Sequence, residues 1–334
     1  MDISKLKKVG ISEPAVFGTA NSSFTRGLFV TALSCNPSQT VDTIKETTGT
    51  LANKRVTISG IDYEFSTTFA LDTGGYGDAY GDGYGASIGD FLGSVMGTDT
   101  GTVSTGKYLH TFTLDSTVEP PCFNVWTDKD IVNTQWVGFR PSSIKLSLTA
   151  GEGFIPIEVS GILQDEDKTS CTGDQTLVNS GAPVLAPSNA TSVKLNGVTV
   201  CFETIEITIT REQEAVRCIS DSRSINTLAS GKTFSITLSA SGLQFANETE
   251  RAKFLAVTSS SFELQLTDSN NEYLKIVLPE IYYQTWEGAD INESDLLRIN
   301  ISAISNDEAN VSTPAYVALY NTYPYQYDDN SLIS

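Results

Sequence analysis

Residues Asp72 to Ala86 read DTGGYGDAYGDGYGA, three Tyr-Gly steps interleaved with Asp78 and Asp82. Glycine-rich acidic loops bind phosphates or calcium when their surroundings fit, so each chemistry is tested in turn. Gly81 to Ala86 satisfy the G-x-G-x-x-A pattern of a dinucleotide loop. The run between strand and helix is too long for that tight turn, and no parallel strand with a ribose-binding acid follows. Aligned as an EF-hand from Asp78, the loop puts Asp82 and Gly83 in place but Gly89 where a bidentate glutamate must stand. GGYGDA from Gly74 gives at best one imperfect calcium turn, and such turns need tandem neighbours. No cofactor and no metal is expected.

Catalytic groups are scarce. The one histidine, His110, alternates with Tyr108, Phe112 and Leu114 and reads as a packed core residue rather than a general base. The DEDK run from Asp165 reads as a solvated linker more readily than as a carboxylate site. Trp126, Trp136 and Trp286 could form a sugar-stacking platform, but burial in a core or interface is the commoner fate of tryptophan. No catalytic residue is assigned, and the chain is not expected to be an enzyme.

The elements that would position such groups are mostly strands. SIKLSLTA places Ile144, Leu146 and Leu148 on one face; IEITIT does so with Ile205, Ile207 and Ile209, and FELQL with Phe262, Leu264 and Leu266. Period-two alternation of this kind marks antiparallel sheet with one buried face. Two segments have helical spacing instead. Ile88, Phe91, Leu92, Val95 and Met96 form one stripe, with Ser87 and Asp90 spaced as a capping box and Gly97 as a stop. The second, NETERAKFLAVTS, has Asn247 as N-cap, Glu250 three residues on, and Ala252, Leu255 and Ala256 facing inward.

The order of elements repeats. GTLANKRVTISG from Gly49 answers NTLASGKTFSIT from Asn226, and each is followed by a strand, a helix and further strands. The expected fold is therefore mainly β, with two tandem antiparallel β-sandwich or barrel-type units, each flanked by a short helix. Their boundaries are placed at 1–163 and 193–334, with a polar, Pro/Gly/Ser-rich linker over 164–192.

With 334 residues the chain can bury a sizeable core. Its formal charge of −19 opposes binding to a phosphate backbone. The five cysteines show no C-x-x-C pair, so neither a zinc ladder nor a disulfide framework is expected. The N-terminus lacks the apolar stretch of a signal peptide, and no run is long enough to span a membrane. Synthesis in a cytoplasm is the expectation, and sequons such as those at Asn189 and Asn247 are read as chance.

The series SEPAVFGTA (from Ser12), KETTGTLANKR (from Lys45), ISGIDYEFSTTF (from Ile58), a helix ending LGSVMG, and GKYLHTFTL (from Gly106) covers the first third of the chain. VGFRPSSIKLSLTAGEGFIPIEVSGIL (from Val137), FETIEITITREQE (from Phe202) and NEYLKIVLPEIYYQTWE (from Asn271) continue it. In this order the segments resemble the tail tube, or major tail, proteins of long-tailed bacteriophages. The resemblance implies a virion structural protein, made in the host bacterial cytoplasm, whose rings stack around a tape-measure protein. Tail tip and terminator proteins would be further partners, and genomic DNA would pass through the bore without specific binding. Members with two fused units form trimeric, pseudo-hexameric rings; a hexamer is the alternative. Tyr76, Tyr80 and Tyr84 are then candidates for contact with the neighbouring ring, since tyrosine offers rigid contact area at low entropic cost. A secreted or cell-surface adhesin-like β protein and a polysaccharide-active enzyme are the other readings of the same pattern.

Overall fold

The computed structural model describes the chain apart from residues 1–7, 15–16, 45–54, 75–83, 129–132, 168, 172, 218–224, 226, 245–247, 289–297, 306–314, 329–332 and 334. Strands β1 (Lys8–Ser12) and β2 (Arg26–Gly27) lead into the long hairpin of β3 (Val30–Ile44) and β4 (Arg55–Ala70). Helix α1 (Ile88–Met96) is followed by β5 (Gly97–Ser104), β6 (Lys107–Leu114), β7 (Phe123–Asp128), β8 (Asn133–Thr149) and β9 (Pro156–Leu163). The middle of the chain holds β10 (Asp165–Asp167), a 3-10 turn at Pro187–Asn189, β11 (Ala190–Leu195) and β12 (Val198–Thr199). A second long hairpin, β13 (Thr204–Val216) and β14 (Thr227–Gln244), precedes helix α2 (Glu248–Ala256). Strands β15 (Ser260–Thr267), β16 (Tyr273–Gly288), β17 (Arg298–Ser305) and β18 (Tyr316–Asn321) complete the series.

All ladders between these strands are antiparallel, and the sheet is not closed. The alternation read from the sequence sets which face is buried: along β15, Ser260, Phe262, Leu264 and Leu266 point inward and the residues between them are half-exposed. One contiguous apolar core draws on both halves of the chain, and a small satellite joins Phe24, Trp126 and Cys171. Each aliphatic side chain in the core contributes about 1.5–3 kcal/mol by leaving water.

Two long strands change neighbours part-way along their length. The first half of β8 pairs with β7 and β10, while its second half lies between β9 and β13. In β16, the stretch Tyr273–Val277 lies between β15 and β18, while Ile281–Gly288 pairs with β17. The neighbour order β3, β4, β9, β8 thus has the same form as β13, β14, β17, β16. A bulge shifts the β8–β9 register between Pro141 and Ser143, and another shifts β16–β17 between Tyr283 and Thr285.

The DEDK segment departs from the solvated linker expected of it. Asp165–Asp167 form β10 on the edge of β8, half-buried, and the following stretch is docked through Val178 and the fully buried Leu185. The β-bridge from Val178 to Arg26 and the Leu185 bonds to Ile155 and Leu71 satisfy a backbone that composition alone assigns to solvent.

Helix α1 starts as its sequence dictates. The Ser87 hydroxyl accepts from the Gly89 N–H at 3.3 Å, and the Asp90 carboxylate accepts from the Ser87 N–H at 2.8 Å. Gly97 ends it at φ 101°. Every residue of α1 is buried. Helix α2 corrects the expected inward face. Ala252, Leu255 and Ala256 are exposed, Leu255 at 68%, and the residue turned into the protein is Glu250. The Glu250 carboxylate accepts from the Ser260 and Tyr283 hydroxyls at 2.6 and 2.7 Å, and Phe254 stacks on Trp286 at 6.3 Å, so the helix sits on β15 and β16 through both polar and ring contacts. The N-cap assigned to Asn247 lies outside the described residues.

Candidate assembly surfaces

Of the three loop tyrosines, Tyr76 and Tyr80 lie outside the described residues. Tyr84 is half-buried and meets the ring of Tyr323 edge-on at 5.2 Å within the same subunit. Beneath it the chain end is strapped over α1. Tyr327 stacks on Tyr323, packs against His110 and Phe112, and seats its ring where a Cβ on Gly89 would come within 2.4 Å. Its hydroxyl accepts from Asn321 Nδ2 at 3.1 Å. Burial raises the Tyr327 phenol well above its ordinary range, with the Asp90 charge adding to the rise.

His110 belongs to this strap. It is fully buried, with Nε2 3.0 Å from the Tyr323 carbonyl and Nδ1 2.8 Å from Asp99 Oδ2. A carbonyl only accepts, so Nε2 carries a proton. The ring joins β6 to the chain end and is closed off from solvent. The sequence reading placed His110 in the core but missed its partner. Asp99 and His110 meet across the β5–β6 hairpin, where Gly101 stands opposite His110.

Arg26 reaches the same region and pairs with Asp90 at 2.6 Å. Burial is the largest single influence and works against the guanidinium charge, but the attraction and hydrogen bond of Asp90 together with the Tyr323 and Tyr327 phenols outweigh it and lift the Arg26 pKa. Nearby, burial pushes the Asp72 carboxyl up to about 7, against hydrogen bonds from Ser180 and the Gly74 backbone that favour its charged form. The folded protein therefore holds a proton on Asp72 that the unfolded chain has released above its ordinary pKa of 3.8. Stability from this group is full below that value and is lost as pH rises through about 7. Replacing Asp72 with Asn should remove this loss, on the order of a few kcal/mol at the upper end of the window. Urea unfolding of both proteins from pH 4 to 8 checks it: parallel curves would show that this half-buried carboxyl is not titrating there.

Among the described residues the clefts on the surface include two of about 310 and 300 Å³. The first is lined by Leu28, Phe29 and Leu177, the second by Val193, Val200 and Phe202, and neither gathers a pair of carboxylates. Trp126 and Trp136 are buried and Trp286 is half-buried, packed edge-on against Tyr283, so the three tryptophans do not line up as an open platform. Among the described residues no cluster of three His, Cys, Asp or Glu converges as metal ligands do, and no helix is long and apolar enough to cross a membrane.

What the surface does offer is sheet edge. Among the described residues β3 pairs only with β4, and the stretch of β16 beyond Ile281 pairs only with β17. Exposed edges of this length invite another strand. Residues 6–328 match the family model of the phage tail tube protein. The chain belongs to that family. Comparison with curated proteins finds no similar sequence. Tail tube proteins are structural components of the virion tail that self-assemble into a tube. Open strand edges are the feature of this subunit that suits such a role, and no sequence motif marks them, because an edge is defined by which neighbour is missing.

Proposed function

We propose that this chain builds rings that stack into the tail tube around a tape-measure protein, with tail tip and terminator proteins at the ends and the genome passing through the bore. The observation that carries the reading is the family match from residue 6 to 328 on a subunit that leaves β3 and β16 open. Each ring holds three chains, and each chain supplies two similar units, 1–163 and 193–334, joined by 164–192. The parallel neighbour orders and the two matching bulges support this division. Three copies of a two-unit chain occupy six similar positions and close by rotation. The net charge of −19 favours an acidic bore, which repels DNA rather than binding it. Tyr76 and Tyr80 reach the adjacent ring, and Tyr84 anchors their loop on Tyr323.

Native mass spectrometry of isolated rings, with a reconstruction refined without imposed symmetry, tests these points together. Three chains per ring, more Asp and Glu than Lys and Arg along the bore, and Tyr76 or Tyr80 against the next ring are expected. Six full-length chains per ring would rule out the two-unit arrangement, and a basic bore would rule out the electrostatic role.

A further inference from the structure

The chain contains one junction between its halves whose partners recur at its open edges. Strand β13 docks on β8 with Ile207 opposite Leu146, Thr208 opposite Lys145, Ile209 opposite Ile144 and Thr210 opposite Ser143. The two bulges fix which residues of β8 and β16 correspond. Pro141 and Ser143 flank one and Tyr283 and Thr285 the other, each facing an S-G or S-A step, Ser160–Gly161 in β9 and Ser302–Ala303 in β17. The sequences EVSGIL (from Glu158) and NISAIS (from Asn300) then align without a gap. Ser143 thus answers to Thr285, Ile144 to Trp286 and Lys145 to Glu287. Working outward, Ser66 of β4 and Ser239 of β14 face those two serines, and their own partners are Ser34 in β3 and Glu206 in β13. Strand β3 therefore stands in its half where β13 stands in the other, with Asn36 in place of Thr208 and Ser38 in place of Thr210.

From this correspondence we infer that β3 of one copy pairs antiparallel with β16 of the next, in the register of the β13–β8 ladder. Ser38 lies opposite Thr285, Pro37 opposite Trp286 and Asn36 opposite Glu287. The occupant of the open edge is a second copy of this chain, and the inference rests on the ring reading above.

Two observations outside the ladders agree with it. Along β13, Ile205, Ile207 and Ile209 are buried, whereas of their counterparts on β3 Leu33 and Cys35 are half-buried and Pro37 is exposed. The face that β8 and α1 cover in one case is only partly covered in the other. The helices differ in the same sense. Helix α1 contacts both β8 and β13, spanning the junction, while α2 contacts β16. Matching Asp90 to Glu250 puts Val95, fully buried, at the position of Leu255, 68% exposed, and Gly97 at that of Val257. Both of the last two have positive φ, 101° and 52°, as residues just past a helix end. A strand from the next copy laid on β16 would pass under α2 and cover Leu255. The correspondence is not one of charge: the Lys145–Glu206 ion pair at 2.7 Å becomes Glu287 and Ser34, a hydrogen bond at most.

Paired cysteines test the register. Residues directly opposite across an antiparallel ladder have Cα atoms about 4.5–5.5 Å apart, within disulfide range. The double variant Ser38→Cys, Thr285→Cys is expected to assemble like the parent under reducing conditions, both sites being exposed. Mild oxidation should then convert most chains into covalent multimers on a non-reducing gel, up to the number in a ring. Ser34→Cys with Thr285→Cys, displaced along the strand by about 13 Å, should stay single-chain. Rings or tubes in the microscope with no Ser38–Thr285 cross-link, or with a Ser34–Thr285 cross-link, would overturn the register and leave the ring reading standing. A variant and a parent that both remain monomeric, even with tape-measure and initiator proteins supplied, would overturn the ring reading and this inference with it.

Discussion

Replacing Tyr327 with alanine should destabilise the subunit by about 3–5 kcal/mol, the usual cost of emptying a large aromatic site in a core. The ring is buried on all sides by Tyr323, His110, Phe112 and α1. Gly89 and Gly93 permit this seat. A Cβ at Gly93 would stand 2.7 Å from the Tyr327 carbonyl oxygen, so the helix accepts two glycines, each costing about 1 kcal/mol against alanine, in exchange for the close approach. The backbone N–H of Tyr327 also donates to Asp99 at 2.9 Å, which ties the strap to the carboxylate that holds His110. Tyr327→Phe keeps the packing and loses only the hydroxyl contacts, for about 1 kcal/mol. Urea denaturation of the three proteins separates the cases. A Tyr327→Ala midpoint within error of the parent would mean that the chain end does not hold α1 in solution.

The second large effect falls on assembly. Leu255→Asp should keep the monomer folded with only a small loss of stability, because the side chain already faces solvent and the cost is that of an acid in the last turn of α2, about 0.3–1 kcal/mol. On the strand pairing inferred above, the next copy would cover the same position. Burying a leucine is worth about 1.5–3 kcal/mol, roughly a ten- to hundredfold change in association at each contact, and a buried carboxylate adds a further penalty. The concentration needed for rings or tubes should therefore rise at least about tenfold. Sedimentation velocity across a dilution series reads this directly. Assembly at the parent concentration would show that α2 stays uncovered.

Strands and the first helix were legible because each follows from local pattern. The alternation of Ile205, Ile207 and Ile209 or of Phe262, Leu264 and Leu266 has one physical meaning, and Ser87 with Asp90 has another. The second helix misled for a reason of the same kind. Leu255 and Ala256 carry apolar surface that a pattern assigns to the core of its own subunit, while the structure turns Glu250 inward instead. The strap escaped notice because TYPYQY (from Thr322) is too short to show a period, and its anchors Gly89, Gly93 and His110 lie more than 200 residues earlier in the chain. The partner of His110 was nearer to hand: the Thr105-Gly106 turn, with both residues at positive φ, sets the β5–β6 register that carries Asp99 to the histidine.

Strand β18 also constrains how the protein is made. It inserts between β16 and β6, so a strand from the first third of the chain waits for one of the last to be synthesised, and Tyr320 reaches the Ser104 carbonyl across 216 residues. At ribosomal rates of about 5–20 residues per second, that interval lasts roughly 10–40 s. During it the β6 edge is bare and α1 lacks its strap. A translation product cut short before Tyr316 never gains either, and its unfinished amino-terminal half is left to chaperones and proteases. A product that stops before Tyr316 thus lacks both the β18 ladder on β6 and the strap over α1 that the folded subunit carries.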